Sequence, residues 1–295
     1  MTDKINKDAL NEAILILSKT FNEPKGKDIE RAIDTLKKSL VERKELTATR
    51  ADKIVDIEGV FMPLGVPWID TWLRGGLRPQ ELLLIGANPH AGKTHTLVWF
   101  GIQYLLEGYK VLSVIGEDLL ADVKSCYEKG ITNKEVLENL WLADMQDVRF
   151  GVPEVEQVYE QLKAEGNAPE IIIVDHVDLM KGGGHNKADW ENAQDVMVAL
   201  KMFAKRTGTI VVTASQTNFP DQNHRTAGNM AAFYRAKVGK AANADVILMI
   251  DDVVNNEYMV SLTKARGRKK IPQDERQKTL IVDWDTMEIE DATPT

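Results

Sequence analysis

Apolar positions change their spacing along the chain. Over roughly the first fifty residues they recur at helical intervals. "LNEAILILSKTF" puts Leu10, Ile14 and Leu17 on one face with Ala13 between them, and "DIERAIDTLKKSLVERKEL" repeats the pattern with Ile29, Ile33, Leu36 and Leu40. The stretch "NEPKGK" breaks the two helices with a proline and a glycine. Two such helices cannot bury their stripes alone, so they pack either on the chain's own core or on a neighbouring subunit. From about residue 56 short unbroken apolar runs alternate with helical segments. "ELLLIGA" ends in a glycine turn and "THTLVWFGIQYLLEG" has helical period; "KVLSVIGE" is a second strand, and "DLLADVKSCYEKG" a helix that Gly130 closes. "PEIIIVDHVDLM" and "GTIVVTASQ" are further strands, separated by the helix "DWENAQDVMVALKMFAKRTG". Unbroken apolar strands alternating with helices predict an α/β fold, a mostly parallel sheet covered on both faces. Near the end "DVILMID", "EYMVSLTKAR" and "KTLIVDWD" follow one another without a helix, which predicts an antiparallel extension at one edge. The expected organisation is a helical segment over residues 1–52 and an α/β domain over 53–295.

Composition narrows the picture only modestly. The 295 residues are 43% hydrophobic and 28% charged, ordinary values for a globular protein. A net charge of −8 disfavours a surface that coats nucleic acid everywhere, so contact with DNA has to come from local basic patches. Cys126 is the only cysteine, which excludes a disulfide framework and a cysteine-rich zinc site, and fits a reducing compartment. The opening "MTDKINKDAL" has no apolar core of a signal peptide, and no apolar run approaches the about 20 residues that span a bilayer. A soluble, cytoplasmic protein with no membrane contact is the expectation.

The stretch "GANPHAGKTHTL", just behind the first apolar run, carries the chemistry. The pattern Gly-x-x-x-x-Gly-Lys-Ser/Thr lets backbone N–H groups and a lysine wrap a triphosphate, while the following hydroxyl ligates Mg²⁺. Here the register reads Ala87, Asn88, Pro89, His90, Ala91, Gly92, Lys93, Thr94, with alanine in the first slot, and His95 continues into the helix. Gly92 lets the backbone approach the phosphates, Lys93 reaches the β- and γ-phosphates, and Thr94 holds the metal. The helix that begins there turns its positive end toward the anion. Strand, loop and helix occur in the order the mechanism requires.

Hydrolysis needs further groups. Asp175 ends "IIIVD", where a strand-tip carboxylate can hold Mg²⁺ through water; the plainer reading is a helix cap or surface acid. Glu117 ends "VLSVIGED" and is placed to polarise an attacking water, with Asp118 beside it as a rival better suited to capping the next helix. Gln216 follows "TIVVTAS" at another strand tip, where it can touch the γ-phosphate and report its loss.

Taken together these motifs resemble DnaB-type replicative helicases, members of the RecA-like ATPases. "GLRPQELLLIGANPHAGKT" is similar to that family's lead-in and cradle, "IIIVDHVDLM" to its second nucleotide motif, with an Asp-His pair closer to bacteriophage primase-helicases. "TASQTN" is similar to its sensor segment, and "ADVILMI" with "SLTKARGRKK" to the strand pair carrying its trans-acting cations. These motifs run in order from about residue 60 to 285. The resemblance implies a RecA-like fold, with Glu117 as catalytic base, Asp175 on the Mg²⁺ side and Gln216 as sensor. It also implies that Arg266, with Lys264 two residues before it, reaches into the next subunit's site as an arginine finger. The alternatives for "KARGRKK" are a solvated basic edge that guards a strand, or contact with DNA phosphates.

Two loops are candidates to face single-stranded DNA. "KGGGHNKAD" carries Lys181 and Lys187. "NFPDQNHRTAGNMAAFYRAKVGK" carries Arg225, Arg235, Lys237 and Lys240, with Phe233 and Tyr234 for stacking. Ordinary surface insertion is the competing reading. Where the family has a larger domain that engages primase, about fifty helical residues stand here, and "IGED" replaces the family's usual Ser-Leu-Glu-Met. The expectation is an ATP- and Mg²⁺-dependent helicase motor, a homo-oligomeric ring of six on single-stranded DNA, with primase or a loader as candidate partner. A filament-forming recombination ATPase and an ATP-switched loader are the rivals.

Overall fold

The structure is a computed structural model that describes residues 61–88, 91–146, 150–182, 189–216, 238–252, 257–268 and 271–292. The two helical stripes expected before residue 52 lie outside the described residues.

Each apolar run read as a strand is one. β1 (Leu82–Ala87), β2 (Val111–Ile115) and β4 (Ile171–Asp175) are buried at every position, as strands covered on both faces must be. β3 (Leu140–Asp144), β5 (Ile210–Gln216), β6 (Val246–Asp252), β7 (Glu257–Ala265), β8 (Gln277–Asp283) and β9 (Glu288–Asp291) complete a nine-stranded sheet in the order β3-β2-β4-β5-β1-β6-β7-β8-β9. Pairing is parallel from β3 through β6 and antiparallel from β6 through β9, the edge extension the sequence predicts.

Alternation along β1 sorts the two faces. Leu83 and Ile85 join a core with α1 (Pro67–Leu73), α2 (Lys93–Leu106) and α3 (Leu120–Gly130), through Leu73, Leu97, Phe100 and Tyr127. Leu82 and Leu84 join the opposite core with α4 (Val152–Ala164), α5 (Asp189–Thr207) and α6 (Val238–Asn243), through Tyr159, Met197, Phe203 and Ala241. Sequence reading missed β3 and α4. β3 is a half-buried edge strand, so its apolar signal is weak, and α4 buries only Val152, Val155, Tyr159 and Leu162 among polar neighbours.

Buried charge anchors the entry to β1. The Arg268 guanidinium, 1% exposed, donates to Glu81 Oε1 at 2.9 Å and Oε2 at 2.7 Å, and to the carbonyls of Leu73 and Gly76, both at 2.9 Å. Arg268 is therefore structural, which corrects the reading of every cation in "KARGRKK" as finger, solvated edge or DNA contact. Removing one partner of such a pair strands the other. Arg268→Ala is expected to lower stability by about 3–5 kcal/mol, read as an earlier midpoint in urea unfolding; an unchanged midpoint would mean Glu81 finds water instead.

Candidate nucleotide site

The described residues of the turn from β1 to α2 are a strand end, a half-buried asparagine and a glycine-capped helix start. Ala87 is buried at the end of β1, Asn88 is half-buried, and the Ala91 N–H donates to the Asn88 carbonyl at 3.2 Å. Gly92 caps α2 with φ 68° and ψ 33°, a left-handed conformation that favours glycine. The Thr96 N–H and hydroxyl both donate to the Gly92 carbonyl at 2.9 Å, so the first turn is held closed. N–H groups at a helix start have no partner within the helix, and the dipole adds positive character there. Lys93, Thr94 and His95 follow on that turn, half-buried. Pro89 and His90 lie outside the described residues. Trp284, just after β8, stands over the turn: a Cβ on Gly92 would come within 3.0 Å of its indole. Its ring centroid is 5.2 Å from that of His95, and its Nε1 donates to the Tyr258 hydroxyl at 3.3 Å. Burial, and to a lesser degree Lys129, hold the His95 pKa below its ordinary value against Asp118 and Asp175, which favours the neutral ring.

Parallel register brings the other strand tips to the same edge. Ala87 pairs with Gln216, Ile115 pairs with Asp175, and the Gly116 N–H donates to the Asp175 carbonyl at 3.0 Å. Going outward from the cradle, the edge therefore presents Gln216 on β5, Asp175 on β4 and Glu117 beyond β2. Adjacent strands lie about 4.8 Å apart, so β4 stands about 10 Å from β1, room for a phosphoryl group between them. Asp175 is buried, whereas the Glu117 side chain is 66% exposed and open to a ligand arriving from solvent. A threonine hydroxyl and a carboxylate are hard oxygen donors, the set Mg²⁺ accepts alongside phosphate oxygens and water; Thr94 and Asp175 fit that role.

Residues between these tips tie them together. His176 is buried with Nδ1 at 3.5 Å from Asp175 Oδ1 and 3.9 Å from Glu117 Oε2, and Nε2 at 3.9 Å from Asp178 Oδ2. Asp178 in turn accepts the Ser215 hydroxyl at 3.0 Å and the Gln216 N–H at 2.8 Å. A chain of contacts thus runs from Glu117 through His176 and Asp178 to Gln216. Sequence reading gave Asp178 no role; a third acidic or imidazole group within "DHVD" was the available signal. Gln146, also missed, donates its amide to the Glu117 carbonyl at 3.2 Å and to that of Asp118. The expectation that Asp118 caps α3 is corrected: Leu119 occupies the cap position and no side chain caps it.

The basic candidates separate. Lys264 and Arg266 lie at the opposite edge of the sheet from the cradle. β7 runs antiparallel, so Lys264 pairs with Ile247 near the start of β6, and the Arg266 N–H donates to the Asp245 carbonyl at 2.8 Å. That level is the start of β1, where the Asp245 N–H donates to the Leu82 carbonyl at 2.9 Å; five residues at about 3.3 Å each, roughly 17 Å, separate it from Ala87. Arg266 cannot serve its own cradle. Burial and Arg266 hold the Lys264 pKa below its ordinary value, against Asp245. Lys181 is exposed beyond β4, with its N–H donating to the Phe150 carbonyl at 2.8 Å. Lys187, Arg225, Arg235 and Lys237 lie outside the described residues, and Lys240 is in α6 with its side chain undescribed.

The fold is that of the ATPase domains of DnaB-type replicative helicases. The chain is similar to the solved ATPase domain of a phage helicase, with TM-score 0.66 and 15% identity over 90% of this chain and 99% of that one. It is equally similar to a DnaB-like replicative helicase solved for its interactions with primase, TM-score 0.66 and 15% identity over 97% of this chain and 76% of that one. No model of a known protein family matches. In sequence it is 27% identical to the DNA repair protein RadA of Salmonella typhimurium over 179 residues, 56% of this chain and 34% of RadA. RadA of Mycobacterium tuberculosis gives 27% over 118 residues, 40% of this chain and 22% of RadA. The chain spans about a third or less of the length of the curated relatives it matches.

Gly92→Ala places a side chain in a left-handed backbone, a strain of about 1–2 kcal/mol, and crowds Trp284. Titration with a fluorescent ATP analogue is expected to show binding at least about tenfold weaker; undiminished affinity would place the nucleotide elsewhere.

Proposed function

We propose that this chain is the ATP-hydrolysing motor of a replicative-type DNA helicase, a closed ring of copies, six the expected number, on single-stranded DNA. The observation that carries this is the opposition of edges: Gly92, Lys93, Thr94, Glu117, Asp175 and Gln216 stand at one edge, Lys264 and Arg266 at the other. A head-to-tail contact between copies brings one edge against the other, and such a contact builds a ring where the rotation between copies closes and a filament where it does not.

In this reading Lys93 and the N–H groups of the α2 start hold the β- and γ-phosphates. Mg²⁺, when bound by Thr94 and, through water, Asp175, neutralises charge on the phosphate oxygens. Glu117 orients the attacking water and accepts its proton, and Arg266 of the adjacent copy stabilises charge on the transferring group. Gln216 senses the γ-phosphate, and the Asp178 carboxylate that holds its N–H passes the change to the loop beyond. Lys181, Lys187, Arg225, Arg235, Lys237 and Lys240 are the candidate DNA contacts, and residues 1–52 a separate helical segment that links copies. Among the described residues no helix is long and apolar enough to cross a membrane; a cytoplasmic place, with primase or a loader as partner, belongs to the same proposal. The RadA likeness supports a second reading, a repair-type ATPase built on the same core.

Steady-state ATP hydrolysis with and without single-stranded DNA tests the proposal. DNA is expected to stimulate turnover. Glu117→Gln is expected to lower it about 10²–10⁴-fold, and Arg266→Ala about 10³-fold. Mixing the two variants restores part of the activity, because some interfaces pair an intact cradle with an intact cation. Absence of rescue would remove action in trans.

A further inference from the structure

We propose that Asp245 is the positioning residue for Arg266, holding it at the lending edge and tying it to the strand that carries the cradle. This rests on the reading of Arg266 as the cation supplied to a neighbouring copy.

The carboxylate of Asp245, 7% exposed, sits where three elements meet. Oδ2 accepts the Leu82 N–H at 2.9 Å, at the first residue of β1. The same oxygen accepts Lys201 Nζ from α5, which also donates to the Gln80 carbonyl at 2.7 Å. Oδ1 faces Arg266 Nη1 at 3.7 Å, an ion-pair distance. The main chain adds a second grip, Arg266 N–H to the Asp245 carbonyl at 2.8 Å.

Arg266 itself is 55% exposed and donates Nη2 to the Ala242 carbonyl near the end of α6 at 2.9 Å. Lys264 Nζ donates to the Ala241 and Ala242 carbonyls at 2.7 and 3.1 Å. Carbonyls at a helix end attract cations, but only through partial charge. Asp245 differs: it is buried, charged, and fixed by β1. It holds the guanidinium in register with the same strand whose other end grips nucleotide. An exposed arginine without that carboxylate samples other rotamers, and misplacement by an ångström costs about a hundredfold in rate.

The test uses full-length chains and ATP. Asp245→Asn keeps an acceptor for Leu82 but removes the charge facing Arg266. Turnover is expected to fall about 10–100-fold while ATP affinity at the variant's own cradle stays unchanged. Mixing Asp245→Asn with Glu117→Gln restores part of the turnover; mixing it with Arg266→Ala does not, because both copies then fail at the same edge. Rescue by Arg266→Ala would overturn the proposal, since it would place the defect at the cradle. So would wild-type turnover in Asp245→Asn alongside a dead Arg266→Ala. Wild-type turnover in Arg266→Ala would instead bring down the underlying finger reading. If Asp245→Asn fails to fold because Lys201 is left unpaired, the double variant Lys201→Met, Asp245→Asn removes both charges. It is expected to unfold at the wild-type midpoint with turnover still lost; full turnover in that variant overturns the proposal.

Discussion

Strand direction is the constraint on which the rest depends. Six strands run parallel, so their carboxyl ends all emerge at one edge, and the cradle, Asp175, Glu117 and Gln216 gather there without any loop having to reach across the sheet. β7 reverses direction, so the cations at its end emerge at the other edge. A site that needs both sets of groups is incomplete in one copy. Oligomeric catalysis, in the proposed reading, is thus a consequence of topology.

Both edges are stiffened by buried polar contacts whose partners are well satisfied. At the edge that carries Arg266, Glu81 with Arg268 and Asp245 with Lys201 clamp the start of β1. At the edge formed by the carboxyl ends of the parallel strands the Asp178 carboxylate holds Ser215 and Gln216, and His176 stands among three carboxylates. Buried ion pairs stabilise little against apolar substitutes, yet breaking one is costly. Their effect here is to set geometry: β1 is pinned at its base, and its far end opens into the one turn where Gly92 takes a left-handed conformation.

How much was legible in the sequence follows from what each signal measures. Fully buried parallel strands advertise themselves as unbroken apolar runs, so β1, β2, β4 and β5 were readable, with α2, α3 and α5 among the helices between them. The placement of Gly92, Lys93 and Thr94 between a strand and a helix was readable because the motif has a fixed spacing behind an apolar run. β3 escaped because an edge strand is buried on one side only, and Asp118 misled because a good capping residue type sat one position from a cap that uses none. Arg268 was invisible as a structural residue, since its partners Glu81, Leu73 and Gly76 lie almost two hundred positions away. That Lys264 and Arg266 face away from their own cradle needed the antiparallel register itself; only the resemblance to helicases anticipated it.

A cryo-EM map of the wild-type chain with Mg²⁺, a slowly hydrolysed ATP analogue and single-stranded DNA tests most directly whether two copies build each site. The opposed edges predict phosphates on the Gly92, Lys93 and Thr94 turn, with the Arg266 guanidinium of the adjacent copy about 3 Å from the terminal phosphate. An analogue bound away from that turn, or complete sites with no Arg266 from another copy beside them, would contradict it.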